Sequence, residues 1–442
     1  MKLNDIVNNI EIINIYNNQD FEIKGFSKDT RTIGENEFFV AIKGENFDGN
    51  EFVYDALNKG AIGAIMDKQE ISQEILDLGK PILIVKDSVK ALQEIAAYKR
   101  SLYNIPVIAI TGSVGKTSTK DIIASVVSQK YKVLKTEGNL NNHIGLPLTI
   151  LKLENHEALV VEMGMNHFHE IEALSKIAKP TLAVITNVGT AHIGILGSRE
   201  NILKAKLEIT EGLDGKLIIN NDNDLLNKWN EENNNENVIT YGINNKSDYM
   251  ASDSSYYEEY SLFKFNSEEI KVPVSGEHFV YNALCAITVG MTLDISIENI
   301  KKGIEEFSLS NNRMSLIKKE YTIIDDTYNA NYDSVISAIK YLDSLEGRKI
   351  AVLGDMLELG DFSNKLHQEI GKKLNKMNID IVVTVGTLTL NINKEITDKK
   401  TYHFETNKEA IELLNNIKQE NDKILVKASN GMKFKEIVEG IK

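Results

Sequence analysis

Short apolar runs alternate with helical spacing along most of this 442-residue chain, and the alternation falls into three stretches. In residues 1–104, FFVAI (38–42), AIGAIM (61–66) and PILIV (81–85) read as strands, and 51–59 and 88–103 carry helical spacing. Asn104-Ile105-Pro106 reads as a junction. In residues 105–310, VIAI (107–110), ALVVEM (158–163) and LAVITNV (182–188) are nearly all apolar, as parallel strands buried on both faces are. Helical patterns at 117–130, 168–178 and 199–212 lie between them and predict an open, doubly wound parallel sheet. NEENNNEN (230–237) is expected to be an exposed loop. The strand-like pieces of 238–274 predict an antiparallel patch before a helix at 278–291. Residues 311–442 alternate again: YTIID (321–325), KIAVLG (349–354), DIVVTVG (380–386) and KILVKAS (423–429) read as strands, with helices at 407–420 and 431–440. The fold class is therefore α/β in three domains.

Composition narrows the chemistry. Hydrophobic residues make up 42% and charged residues 26%, enough for large cores and incompatible with global disorder. Lys and Arg number 50 against 64 Asp and Glu, a net charge of −14 that argues against nucleic acid and anionic membrane surfaces as partners. It leaves anionic substrates open, since amides, lysines and metal ions can bind phosphate within an acidic protein. The single cysteine, Cys285, excludes an intrachain disulfide framework and a multi-Cys zinc site. The N-terminal MKLNDIVNNI has no basic region followed by an apolar run, and no stretch is long and apolar enough to span a bilayer. The expectation is a cytoplasmic protein without membrane insertion.

One motif stands out. Thr111-Gly112-Ser113-Val114-Gly115-Lys116-Thr117-Ser118 joins the end of a buried strand to the start of a helix. Glycines let backbone amides approach phosphate, Lys116 reaches outer phosphates, and the Thr117 hydroxyl suits Mg²⁺. The spacing is G-x-x-G-K-T, shorter than the common P-loop. Glu162 ends the ALVVE run and His192 follows LAVITNV, both at strand ends where a doubly wound sheet places its ligands. An acidic residue and a histidine beside a phosphate loop suit Mg²⁺.

The ordered set of motifs resembles the ATP-dependent Mur ligases of peptidoglycan synthesis. The shortened phosphate loop, then Glu162, His192 and Lys206 (in Ala-Lys-Leu-Glu-Ile, 205–209), follow that family's order. Gly138-Asn139-Leu140-Asn141-Asn142-His143 and Asp325-Asp326-Thr327-Tyr328-Asn329-Ala330-Asn331 point to the branch that adds D-alanyl-D-alanine to UDP-N-acetylmuramoyl-tripeptide. The resemblance implies a small N-terminal α/β domain (1–104) binding the UDP end of the donor. It implies a central P-loop-type domain (105–310) binding ATP, and a C-terminal Rossmann-like domain (311–442) binding the D-Ala-D-Ala acceptor.

Site residues follow by the same resemblance. Lys116, His192 and Lys206 would be catalytic. Thr117, Glu162, His192 and a CO₂-derived carbamate on Lys206 would hold two Mg²⁺ ions. Asn282 would meet adenine, Arg313 the phosphates, and Asp326, Tyr328 and Asn329 would face the nucleotide from the third domain. Ser27, Asp29, Thr30 and Arg31, with Lys43, Gly44 and Asp48, would hold the uridine and pyrophosphate, and Asn139, Asn141 and Asn142 would serve the donor. A monomer acting on small-molecule substrates is expected.

Three positions depart from the family pattern: Asn50 where His is common, Tyr332 where Pro follows Asn-Ala-Asn, and Asn430 where Arg is common. Competing readings are a sibling ligase adding one amino acid, an NTP-hydrolysing switch, and a ligase-like amidotransferase partner. The absence of an Asp-Asn-Pro-Arg run counts against the first, and the single cysteine against the last.

Overall fold

In the computed structural model, which describes residues 1–309 and 314–442, three parallel-rich sheets follow one another along the chain. β1 (Asn14–Tyr16), β2 (Gly25–Ser27), β3 (Glu37–Val40), β4 (Gly63–Met66) and β5 (Ile82–Ile84) form the first, in the order β1-β5-β4-β3-β2. Only β1 runs antiparallel to its neighbour. Helix Ser88–Ser101 follows, capped by Asp87, whose carboxylate accepts from the amides of Val89 and Lys90.

The second sheet takes β6 (Val107–Thr111), β7 (Val133–Lys135), β8 (Ala158–Glu162), β9 (Leu182–Ile185), β10 (Lys216–Asn220), β11 (Val238–Gly242) and β12 (Tyr249–Met250). Their order is β12-β11-β10-β9-β6-β8-β7, all parallel. Every residue of β6 and β8 is buried, which is why those runs are nearly continuous apolar sequence. The chain passes from β6 to one side of the sheet and then, through β9, to the other. The strand order therefore reverses at β6, and the crevice at its carboxyl end is where such a sheet binds ligands. Helix Glu277–Thr292 packs on helix Lys116–Val127, and its apolar 283–287 run is fully buried.

Two expectations for this region are corrected. The 230–237 stretch is not all loop: helix Asp224–Asn233 takes its first four residues and ends on Asn234 in the left-handed region, a conformation asparagine tolerates. The 238–274 stretch is not one antiparallel patch. β11 and β12 extend the parallel sheet, and only β13 (Ser252–Tyr256), β14 (Ser261–Phe265) and β15 (Glu268–Val272) form an antiparallel meander. Periodicity alone does not tell a parallel edge strand from a meander strand.

The last sheet comprises β16 (Ser315–Lys318), β17 (Thr322–Asp325), β18 (Lys349–Gly354), β19 (Ile381–Val385), β20 (Lys400–Phe404) and β21 (Lys423–Lys427). Its order is β16-β17-β21-β18-β19-β20, parallel except for β16. Helix Tyr332–Ser344 starts at the carboxyl end of β17. Asn331 caps it, accepting from the Ser334 amide at 2.9 Å, and this cap supplies the start signal at a helix whose first position is Tyr332 instead of Pro.

Candidate active site

The phosphate loop is shaped by the strand beside it. Thr186 and Asn187 follow β9, and together they stitch down the loop that follows β6. The Asn187 side chain accepts from the Val114 amide and donates to the Val114 carbonyl, both at 2.9 Å. The Thr186 hydroxyl donates to the same carbonyl at 2.9 Å. A Cβ on Gly112 would lie 1.9 Å from the Thr186 hydroxyl oxygen, so only glycine fits there. Gly115, at φ 82°, turns the chain into helix Lys116–Val127, whose first amides open toward the crevice. The Lys116 ammonium donates to the Gly112 carbonyl at 2.8 Å, folded back over the loop it belongs to.

Beside this loop stands a buried carboxylate. Glu162 at the end of β8 is 3% exposed. Its Oε2 accepts from the Thr117 hydroxyl at 2.7 Å and its Oε1 from the Asn141 amide at 2.8 Å. Carboxylate and hydroxyl oxygens side by side are the donor types Mg²⁺ takes. Among the described residues no three His, Cys, Asp or Glu side chains form a metal cluster, so protein groups of those types do not complete a site.

His192 and Lys206 are not among the residues lining the cavity over this loop, but the Lys116 charge acts on both. His192 is held at φ 65°, and its buried Nδ1 has no hydrogen-bond partner; Glu358 Oε2 lies 3.8 Å away. Burial, then the Lys116 charge, lowers its pKa to about 4. A neutral imidazole with an unpartnered nitrogen is suited to a metal ion. Lys206 is 1% exposed, and burial together with the Lys116 charge holds its amine far below the ordinary lysine range. A neutral amine is the form that attacks CO₂, so this lysine fits a carbamate.

A cavity of about 450 Å³ lies over the loop, with Lys116, Thr117, Glu162 and Asn141 on one wall and Asp326, Tyr328 and Asn329 on the other. Asn282 also lines it. Its Oδ1 accepts from the Thr119 hydroxyl at 3.0 Å, so the expected base-reading amide is anchored to the loop helix. Ser113, Val114, Gly115 and Ser118 reach this wall, while Thr111 and Gly112 lie beneath it. Arg313 lies outside the described residues.

The first sheet's expected residues are not brought to this cavity. Asp29 and Arg31 pair with each other, Arg31 donating to both carboxylate oxygens, and that guanidinium holds the Asp29 carboxyl well below the usual range. The Ser27 hydroxyl bonds the Asp29 backbone, and Thr30 sits in the same turn. Lys43 and Asp48 pair through an isolated antiparallel backbone bridge, across a loop closed by the Gly44 amide bonding the Phe47 carbonyl. Asn50 is buried and donates to Asp48 and Asp67. Asn142 accepts from the Gly145 amide at the start of helix Gly145–Leu151, at 2.8 Å, and Asn139 lies in the turn before it. That helix contacts β2, so the Asn-rich turn lies between the first sheet's loops and Glu162.

Residues the motifs did not single out also build the site. Thr186, Asn187 and Lys427 sit at or just past strand ends, the signal that had already picked out Glu162 and His192. Lys427, 2% exposed at the end of β21, bonds Asp326 and the Asn329 carbonyl and so fixes the third sheet's face of the cavity. Asn430 keeps a backbone contact there, its amide 3.4 Å from Asn329 Oδ1.

Three family models match the chain in succession. Residues 22–100 match the model of the Mur ligase family catalytic domain, 110–290 the Mur ligase middle domain, and 312–430 the Mur ligase glutamate ligase domain. The UDP-N-acetylmuramoyl-tripeptide–D-alanyl-D-alanine ligase of Bacillus subtilis (strain 168) is 40% identical over 434 residues, 95% of this chain and 93% of that protein. A crystal structure of MurF from Acinetobacter baumannii superposes with a TM-score of 0.89 at 33% identity, covering 95% of this chain and 94% of the other. MurF ligase from Thermotoga maritima in complex with ADP gives a TM-score of 0.83 at 30% identity, covering 95% and 97%.

Proposed function

The chain belongs to the Mur ligase family, and we propose that it is the ATP-dependent ligase joining D-alanyl-D-alanine to UDP-N-acetylmuramoyl-tripeptide. ATP transfers its terminal phosphoryl group to the donor's terminal carboxylate. The dipeptide amine then attacks the acyl phosphate, and phosphate leaves as the amide forms. The observation that carries this reading is one cavity with a phosphate loop and a buried Thr117–Glu162 pair on one wall and a third-sheet loop on the other.

The chain's own groups divide the work. Loop amides and Lys116 bind the transferring phosphates, Lys116 exchanging its Gly112 carbonyl for phosphate oxygen. Asn141 and Thr117 hold the Glu162 carboxylate in place. Thr117 and Glu162 would hold one Mg²⁺, and His192 with a Lys206 carbamate a second. These ions, when bound, offset the charge that builds on the phosphoryl group. Asn282 holds the base. The first-sheet turns at Ser27–Arg31 and Lys43–Asp48 bind the UDP end, and the third sheet's loops bind the acceptor. ATP as co-substrate places the work in the cytoplasm, and no described helix is long and apolar enough to cross a membrane.

The test is phosphate release from ATP and Mg²⁺ with UDP-muramoyl-tripeptide, with and without D-Ala-D-Ala. Release that needs both, with the pentapeptide product seen by mass, is the expected result. Release driven by a single amino acid would make the chain a sibling ligase, and release indifferent to both substrates would leave only an NTPase.

A further inference from the structure

The loop after β9 carries two kinds of contact. On one side the Gly189 amide donates to the Ser113 hydroxyl of the phosphate loop at 2.9 Å. On the other, the Thr190 amide and hydroxyl both donate to Asp333 Oδ2, at 2.6 and 2.9 Å. Asp333 stands in the first turn of helix Tyr332–Ser344, which belongs to the third sheet's unit. Its carboxylate presses so closely on the loop that a Cβ on Gly189 would lie 2.2 Å from Oδ2. Two residues further on, the same loop holds His192 at φ 65°. An unbroken run of hydrogen bonds and short backbone thus links the third unit's helix to the phosphate loop and to His192. Asp333 and Gly189 line the cavity, and Thr190 is 8% exposed, so water competes little for the Thr190 contact.

We propose that Asp333 is a positioning residue that couples docking of the third unit to the phosphate loop and to His192. The inference rests on the ligase reading above and adds to it a cause for why turnover needs the third unit in place. With the carboxylate docked, Gly189 and Thr190 are held from both sides, and Ser113 and His192 take their working positions. With the third unit away, Thr190 loses its acceptor and the loop loses one of its two anchors. Asp333 is not placed on the reacting atoms, so its effect belongs in the turnover number and in closure, not in binding of the donor's UDP end.

The experiment uses the full chain and a double-mutant cycle of Asp333→Ala and Thr190→Val. Steady-state rates are measured for each substrate, and small-angle scattering is recorded with and without ADP and donor. Asp333→Ala is expected to lower kcat about tenfold, the size of a contacting-pair effect. Donor KM should change by less than about twofold, since uniform binding is untouched. The ligand-induced compaction expected of the wild type should shrink. Thr190→Val should cost less, and the double variant should match Asp333→Ala alone, because the hydroxyl has no partner once the carboxylate is gone. Asp333→Asn, which keeps the side-chain size, serves if the alanine variant does not fold; its expected kcat lies between the two. Losses that multiply in the double variant, or wild-type kcat and compaction in Asp333→Ala and Asp333→Asn, would overturn the coupling. A wild-type chain that forms no pentapeptide would instead overturn the ligase reading.

Discussion

The middle sheet's unit has two neighbours, and it meets them through different physics. Toward the first unit the contact is a whole helix: Ser88–Ser101 packs on helices Gly145–Leu151 and Glu170–Ala178. Arg100, 7% exposed, sends its guanidinium to the carbonyls of Ala178 (2.8 Å), Lys179 (3.3 Å) and Tyr103 (2.6 Å), capping the C-terminus of the middle unit's helix. The Tyr103 hydroxyl reaches the Leu153 carbonyl at 2.8 Å. Toward the third unit the contacts are mostly scattered side-chain pairs: Thr190 with Asp333, Glu258 with Lys423, Glu259 with Lys318, the Tyr341 hydroxyl with the Glu258 carbonyl, and a close contact of the turn Gly360–Phe362 on Ile193–Leu196. Opening the first joint would strand buried carbonyls and a buried guanidinium, at a cost of several kcal/mol. Opening the second exchanges several partly exposed ion pairs for water, which costs less than opening the first; its buried Thr190–Asp333 contact is the exception. The second joint is therefore the one expected to open and close, and it brings Asp326, Tyr328 and Asn329 over the phosphate loop.

The largest effect should come from a variant that removes chemistry and leaves both joints alone. Lys206→Ala is expected to lose about 10³-fold in turnover, with scattering profiles close to wild type. Bicarbonate should raise the activity of decarbamylated wild type and do nothing for the variant. Full activity in Lys206→Ala would remove the carbamate and leave the two joints as described.

Next comes the closed joint. Arg100→Ala leaves three carbonyls with one partner fewer and empties a buried site, and should destabilise the chain by about 3 kcal/mol. Urea unfolding would show it as a lower midpoint, while kcat per folded molecule stays near wild type. A fall in kcat without loss of stability would mean that the first joint, too, works in turnover.

Much of this was legible in the sequence, for a reason that differs by region. β6 and β8 are buried on both faces, so their burial is written as continuous apolar sequence, and the phosphate loop between strand and helix is a local pattern. Glu162 and His192 were found because strand ends are where such sheets place ligands. Asn187 obeys the same rule but belongs to no motif, and Lys427 heads the Lys-Ala-Ser-Asn-Gly-Met run, where the departure at Asn430 drew the attention instead. β16 and β20 are half-exposed edge strands and carry no such run. Asp333 gave no signal at all: an acidic residue in the first turn of a helix is ordinary, and its partner Thr190 lies 143 residues away in another unit. Asn141 was placed with the donor, and the structure adds its bond to Glu162, a contact that only the folded crevice creates. Local chemistry is written locally, and the joints are written in pairs of distant residues.

A smaller effect is expected from pH. His278 lines the cavity near Asp326 and Lys427, so it faces the opening joint from the middle unit. Burial lowers its pKa from 6.5 to about 4, the Lys427 charge adding to this and Asp326 opposing it. The unfolded chain therefore binds more protons between those values. The stability that comes from keeping this ring neutral is complete above pH 6.5 and is lost as pH falls toward 4. His278→Gln should flatten that part of the profile of unfolding midpoint against pH. If the flattening appears only with the third unit docked by ADP and donor, the effect belongs to the joint. If it appears in every state, it belongs to the middle unit's core.

The smallest effect should come from the ion pairs that rim the opening joint. Lys423 Nζ lies 2.6 Å from Glu258 Oε1, with Lys423 mostly covered and Glu258 40% exposed. Glu258→Gln removes the charge and leaves the Tyr341 hydroxyl bonded to the Glu258 carbonyl at 2.8 Å, because that contact is made to the backbone. A pair of this kind is worth about 0.5 kcal/mol, so the folding equilibrium and kcat should both stay within about twofold of wild type. Salt should erase even that difference, since the pair is open to water on the Glu258 side. The contrast with Asp333 is the informative part. Both carboxylates cross the same joint, but only Asp333 takes hydrogen bonds from a loop that is itself bonded to the phosphate loop. If Glu258→Gln slowed turnover as much as Asp333→Ala, the joint would be held by charge along its whole rim, and the Thr190–Asp333 link would lose its special place.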